Sequence, residues 1–231
     1  MRDDREMPLV EHLEELRRRL IISLCVFAAC TAALWGASGT ILTWLAEPAG
    51  GLVFLAPTEA FFTRLKVAMF GGFLLALPVV LYQAWAFTAC AMGEGLRRTV
   101  TVLLPLSYLM FMGGAALSLF VVVPAALRFL TACGTGNVRP MLAVGSYVEF
   151  AAGLSLAFGV VFQLPLVLTA LHRAGLVTKA MLADRRPYVY FGAFVAAAVL
   201  TPGPDVFSQL ALALPALVLF ELSLLAMRRA T

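Results

Sequence analysis

Of the 231 residues, 62% are apolar and 13% are charged, whereas soluble domains run near 45 to 50% and about 25%, so a water-soluble single domain is excluded. Seventeen Lys and Arg against thirteen Asp and Glu give +4. The basic residues fall between apolar runs long enough to cross a bilayer, where they orient a membrane protein and leave no footprint for nucleic acid.

In chain order, residues 1–19 are expected to form a cytoplasmic, amphipathic N-terminus. Pro8 to Leu20 places Leu9, Leu13, Leu16 and Leu20 on one helical face, with acids and bases opposite, which predicts a helix lying at the membrane interface. Glu14 with Arg18 and Glu15 with Arg19 are spaced for i, i+4 pairs, each worth about 0.2 to 0.5 kcal/mol. A solvated face accounts for that spacing by itself. Arg17-Arg18-Arg19 before an apolar run is reminiscent of an export signal, but Glu11, Glu14 and Glu15 and the length of the run predict an uncleaved anchor.

Spanning helices are expected at Leu20 to Gly39, Val67 to Ala89, Thr99 to Leu127 and Phe150 to Leu171. Ser146 and Glu149, three apart ahead of the fourth, fit a capping box. After the basic stretch Arg173 to Arg186 come two shorter runs, Tyr188 to Leu200 and Val206 to Phe220, separated by Thr201-Pro202-Gly203-Pro204-Asp205, a turn no helix can cross. At 1.5 Å per residue these runs are about 20 and 22 Å long, short of the roughly 30 Å hydrocarbon core. The fold class is therefore all-α, a single polytopic domain over residues 1–231 with six transmembrane helices, the last two short.

Six spans put both termini on one side. The loops of that side hold Arg2, Arg5, Arg17, Arg18, Arg19, Arg97, Arg98, Arg173, Lys179, Arg185, Arg186, Arg228 and Arg229, and the opposite loops only Arg64, Lys66, Arg128 and Arg139. That asymmetry predicts both termini in the cytoplasm. The cysteines Cys25, Cys30, Cys90 and Cys133 form no C-x-x-C pair, so neither metal nor redox chemistry is indicated and four free thiols are expected, with Cys90 and Cys133 on opposite sides.

Two other function classes fit less well. A small-solute secondary transporter or channel subunit would show internal repeats or charges at mid-membrane, and the charges here lie near span ends. Gly153-Leu154-Ser155 superficially resembles a nucleophile turn, but His172 stands seventeen residues along, about 25 Å by helical rise, too far to act as its base.

The blocks Pro8 to Leu20, Pro57 to Lys66 (P-T-E-A-F-F-T-R-L-K), Pro78 to Phe87 (P-V-V-L-Y-Q-A-W-A-F), Phe158 to Pro165 (F-G-V-V-F-Q-L-P), Arg185 to Phe194 (R-R-P-Y-V-Y-F-G-A-F) and Leu200 to Gln209 (L-T-P-G-P-D-V-F-S-Q) resemble, in order, the motifs of TatC, the multispanning subunit of the twin-arginine protein translocase. The resemblance implies a receptor in the cytoplasmic membrane that exports folded proteins carrying signal peptides with paired arginines. It implies assembly into an oligomeric complex with single-span TatA- and TatB-type subunits, transport driven by the proton-motive force, no cofactor and no enzymatic step. The signal-peptide set it implies is Glu15, Arg17, Arg19, Phe87, Glu94, Leu96 and Arg98, with Glu15 matching the family's N-terminal acid. The family's second acid stands just before the paired basic residues, here Arg97 and Arg98, and Leu96 occupies that place. Glu94, between Gly93 and Gly95, either substitutes for it or is a solvated loop acid. Pro48, Glu59, Gln163 and Asp205 match positions with partner-binding or structural roles. Gln163, about 20 Å into its span by helical rise, either satisfies backbone freed by Pro165 or meets a partner helix.

Overall fold

The computed structural model describes residues 9–92, 97–132, 141–203 and 205–227. Helix α1 (Leu9–Leu34) runs 26 residues without interruption, about 39 Å. The expected interfacial helix and the expected first span are therefore continuous, one helix with no turn between them. Neither Pro nor Gly falls between Leu9 and Leu34, and nothing gives the chain a reason to turn at Leu20. The helix ends at Leu34, five residues before the expected Gly39, and past a turn that contains Gly36 α2 (Ser38–Ala46) leaves at 80° to it. Past a single turn at Glu47–Ala49, Gly50 and Gly51 take φ of 69° and 136°, left-handed values that cost glycine little.

Helix α3 (Pro57–Met92) opens on a proline, whose fixed φ suits a first turn, and extends 36 residues. It overruns the expected 67–89 at both ends, because hydropathy marks the stretch inside hydrocarbon and not the helix. Helix α4 (Arg97–Leu117) continues through a widened π turn at Ser118–Val122 into α5 (Val123–Ala132). Pro124 follows that turn, and a widened turn relieves the clash its ring would make with the carbonyl four residues back.

Two departures from the expected all-helical chain occur next. Strand β1 (Leu52–Val53) pairs in parallel with β2 (Leu142–Ala143), fastening two loops at one end of the bundle. Helix α6 (Val144–Val161) begins at Val144 and not Phe150, with Ala143 at its cap and no side-chain cap bond. The expected capping box does not form, because Glu149 instead pairs with Lys66 on α3 at 2.9 Å. A break at Phe162 and Gln163 leads into α7 (Leu164–Arg173), with Pro165 in its first turn.

The short α8 (Lys179–Asp184) is capped by Thr178, and α9 (Arg186–Leu200) is short as expected, 15 residues that begin two before the expected Tyr188. Helix α10 (Val206–Ala226) has 21. It does not stop at Phe220: Glu221 pairs with Arg186 of α9 at 3.0 Å and accepts from the Tyr190 hydroxyl at 2.6 Å, so a charge at that position does not end the helix. Among the described residues four helices are long and apolar enough to cross a membrane, or five when the bent α1–α2 pair is one span, with α9 a shorter apolar helix.

The core sits around α6. Val148, Ala151, Leu154 and Phe158 are wholly buried against Val123 of α5 and Leu212 and Ala213 of α10. Helices α1 and α3 meet where Gly72 removes a side chain: a Cβ there would stand 2.7 Å from the Cα of Thr31. That close crossing sets the register of the two helices that carry the site below.

Candidate functional site

At the end of the bundle where α1 begins, two helical turns of α1 lie against the last turns of α3. Residues three and four apart share a helix face, so His12, Glu15 and Arg19 look toward Gln83 and Phe87. Arg19 donates to the Glu15 carboxylate at 2.6 Å and to Gln83 Oε1 at 3.1 Å. The His12 ring stacks on Phe87 with centroids 4.5 Å apart and planes 28° from parallel. Arg19 is 17% exposed and Glu15 28%, and the Arg19 Nε is buried with no partner among the described residues.

The two expected helix pairs thus part company. Glu15 and Arg19 pair and are half-buried against α3; Glu14 and Arg18 are exposed and make no ion pair with each other. Arg17 is exposed as well. Glu94 and Leu96 lie outside the described residues, and of Arg98 only the helical backbone is described. The structure therefore joins Glu15, Arg19 and Phe87 of the implied set. It adds His12 and Gln83, which sequence reasoning left out of the site. Gln83 stands four residues before Phe87 in a single block, a spacing that puts both on one face and could have found it.

The opposite end is built differently. Glu59, in the first turn of α3, accepts from the backbone N–H of Leu55 at 2.6 Å and of Gly145, at the start of α6, at 2.7 Å. A Cβ on Gly145 would stand 2.9 Å from that carboxylate. The buried Tyr147 hydroxyl donates to the Leu45 carbonyl at 2.8 Å, and Asp205 caps α10 through the Ser208 N–H at 2.7 Å. Pro48 stands in the turn after α2, beside a pocket of about 210 Å³ lined also by Trp44, Leu119, Phe120 and Tyr147.

Gln163 sits at the break between α6 and α7. Its Nε2 donates to the Ser107 carbonyl of α4 at 3.0 Å, and its Oε1 accepts from the Ser107 hydroxyl. The amide thus finds a partner in its own chain, and that partner is not the backbone freed by Pro165. It also lines an apolar cleft of about 210 Å³ with Leu81, Trp85, Thr88, Val167 and Leu171. Ser155 is wholly buried and donates to the Ala151 carbonyl at 2.7 Å, as a helix-packing serine does. Cys25 and Cys30 are free thiols; the Cys90 side chain and Cys133 lie outside the described residues.

These features define a polytopic helical membrane protein with a charged cluster of side chains at one end and a cross-linked cap of loops at the other. The family model for the Sec-independent protein translocase protein (TatC) matches residues 11–215. TatC of Carboxydothermus hydrogenoformans is 36% identical over 96% of this chain and 93% of its own, and TatC of Aquifex aeolicus 39% identical over 97% and 96%. A crystal structure of the twin arginine translocase receptor TatC superimposes with a TM-score of 0.84 at 37% identity, covering 95% of this chain and 99% of that one. The chain belongs to the TatC family: it is a multi-helix membrane component of a protein translocase and not an enzyme.

Proposed function

We propose that this chain is the receptor subunit that binds twin-arginine signal peptides of folded cargo at the end of the bundle where α1 begins. The observation that carries the reading is the Glu15 carboxylate. One of its oxygens is held by Arg19, and the other makes no hydrogen bond among the described residues. A guanidinium arriving from outside can pair with that oxygen in charge-assisted geometry, beside the stacked His12 and Phe87. Arg17 and Arg98 belong to the signal-peptide set that the family resemblance implies. Glu94 supplies the carboxylate for the second arginine where Leu96 has replaced the family acid.

The same reading puts six spans in the cytoplasmic membrane with both termini in the cytoplasm, α9 being the fifth. Single-span TatA- and TatB-type subunits complete an oligomeric complex, the proton-motive force drives transport, and Gln163, Pro48, Glu59 and Asp205 serve partner contacts or the frame behind them. The basic asymmetry of the loops supports the orientation. Labelling Cys133 from outside the cytoplasm and Cys90 from inside checks it, and the reverse accessibility would refute it.

Photocrosslinking from position 15 to a signal peptide bearing Arg-Arg, against a Lys-Lys control, tests the receptor role. Crosslinking that prefers Arg-Arg is expected, because an ammonium cannot form the fork. Equal yields would reduce the site to a charge patch. Glu94→Gln should weaken binding and Leu96→Glu in that background should restore it; normal binding by Glu94→Gln removes Glu94 from the site.

A further inference from the structure

We infer that Arg64, at the end of the bundle that carries α2, is a binding site for the phosphate of a phospholipid headgroup. Its guanidinium is held from two sides. The Nε donates to the hydroxyl of Ser38 at 3.3 Å, and Ser38 is wholly buried and fixed by its own bond to the Trp35 carbonyl at 2.7 Å. The Trp35 ring lies 5.8 Å from the Arg64 Cζ, and Nη2 passes 3.6 Å from where a Cβ would stand on Gly39. A side chain with several rotatable bonds is thus restrained on two sides while the residue stays exposed.

No carboxylate among the described residues answers it. Among the described residues Arg64 makes no ion pair, whereas Lys66, two residues on, is neutralised by Glu149 at 2.9 Å. The surroundings are those of a membrane boundary. Trp35, Phe61 and Phe62 are each more than a third exposed, and their rings contact one another at 5.5 and 5.6 Å. Trp44 on α2 is half exposed. Aromatic rings of this kind gather at headgroup level. A slab of about 30 Å, or about 20 residues of α3, that starts beside Arg64 ends near Gln83 and Phe87. Arg64 is therefore a fixed, uncompensated guanidinium at the depth of lipid phosphates. Its fork geometry suits two phosphate oxygens. A lipid brings that phosphate together with chains to cover the exposed rings, which a free anion cannot do.

Native mass spectrometry of the full chain in detergent tests this, by titration with phosphatidylglycerol or with diacylglycerol of the same chains. The phosphatidylglycerol adduct should dominate, and Arg64→Gln should weaken it at least about ten-fold, since one charge-assisted hydrogen bond accounts for that much and the fork makes two. Lys66→Gln should leave it unchanged, and excess inorganic phosphate should not displace it. Equal binding of the two lipids, or wild-type phosphatidylglycerol binding by Arg64→Gln, would overturn the assignment and leave Arg64 as a tie between α3 and the bend. Displacement by inorganic phosphate would overturn the lipid as the source. Should Arg64→Gln fail to fold, Arg64→Lys carries the test, since it keeps the charge without the fork: a smaller loss is expected, and no loss would refute fork recognition.

Discussion

The two ends of this bundle are held by different kinds of bond. At the end with α2, the links run largely through backbone: the β1–β2 pair, two N–H groups on Glu59, the Leu45 carbonyl on Tyr147. At the end where α1 begins, α1 and α3 are joined by side chains alone, the Glu15, Arg19 and Gln83 cluster and the His12 and Phe87 stack. Backbone links fix a frame, because their donors and acceptors cannot turn away. Side-chain links can be exchanged for a ligand's. A receptor that must capture a peptide, and release it, needs the second kind at the site and the first kind behind it.

The comparison is most exposed to Glu59→Ala. That change leaves the N–H groups of Leu55 and Gly145 without their acceptor, and unmade bonds to a charged group are among the costlier single losses. Glu59→Ala should lower the melting temperature further than Glu15→Ala, Tyr147→Phe or Gln163→Leu, with signal-peptide affinity of the folded fraction near wild type. Thermal unfolding in detergent and a binding isotherm measure the two quantities. A variant that kept its melting temperature would remove Glu59 from the frame.

Glu15→Ala should give the opposite pattern. Loss of a charge-assisted pair with a signal arginine weakens binding by about 1.5 to 3 kcal/mol, roughly ten- to a hundred-fold. The helix pair with Arg19 contributes about 0.2 to 0.5 kcal/mol to folding, and Gln83 still holds Arg19. The variant should therefore insert and melt normally. Unchanged peptide binding would leave Glu15 with its helix pair to Arg19 alone. Tyr147→Phe comes next, costing about 1 kcal/mol of stability through one lost hydrogen bond with no change in peptide binding; a loss of binding would mean that the two ends communicate.

Much of the fold was legible because hydrocarbon imposes a length and a charge exclusion that few sequences satisfy by accident. The apolar runs, the Thr201 to Asp205 turn and the shortness of α9 follow from composition alone. Helix boundaries were not, since a helix continues past the apolar stretch wherever nothing breaks it, as α1, α3 and α10 do. Ser146 and Glu149 have the local pattern of a cap, but a lysine 83 residues earlier in sequence takes the carboxylate, and no local rule carries that. The site was half legible for the same reason. Spacing paired Glu15 with Arg19, whereas the recruitment of Gln83 and His12 depends on how closely α1 and α3 cross at Gly72.

The smallest expected effect tests a residue that belongs to neither end. Gln163 lies about two-thirds of the way along Val144–Arg173 and bonds both the carbonyl and the hydroxyl of Ser107, so Gln163→Leu removes two contacts at once. Interhelical hydrogen bonds in membranes average about 0.6 kcal/mol and reach about 1.7. Ser107 can recover part of even this, because a helical serine hydroxyl can turn to a carbonyl one turn back in its own helix, and the Ser107 carbonyl is in the ordinary helix ladder already. The leucine meanwhile adds apolar surface to the cleft that Gln163 lines with Trp85 and Val167. Melting temperature should therefore move little. If a single-span partner docks at this amide, its copurification or crosslinking should fall much further than the melting temperature does, since the partner must supply the bonds that Ser107 now makes. If partner recovery holds while the melting temperature drops, Gln163 serves only to tie α4 to the break between α6 and α7.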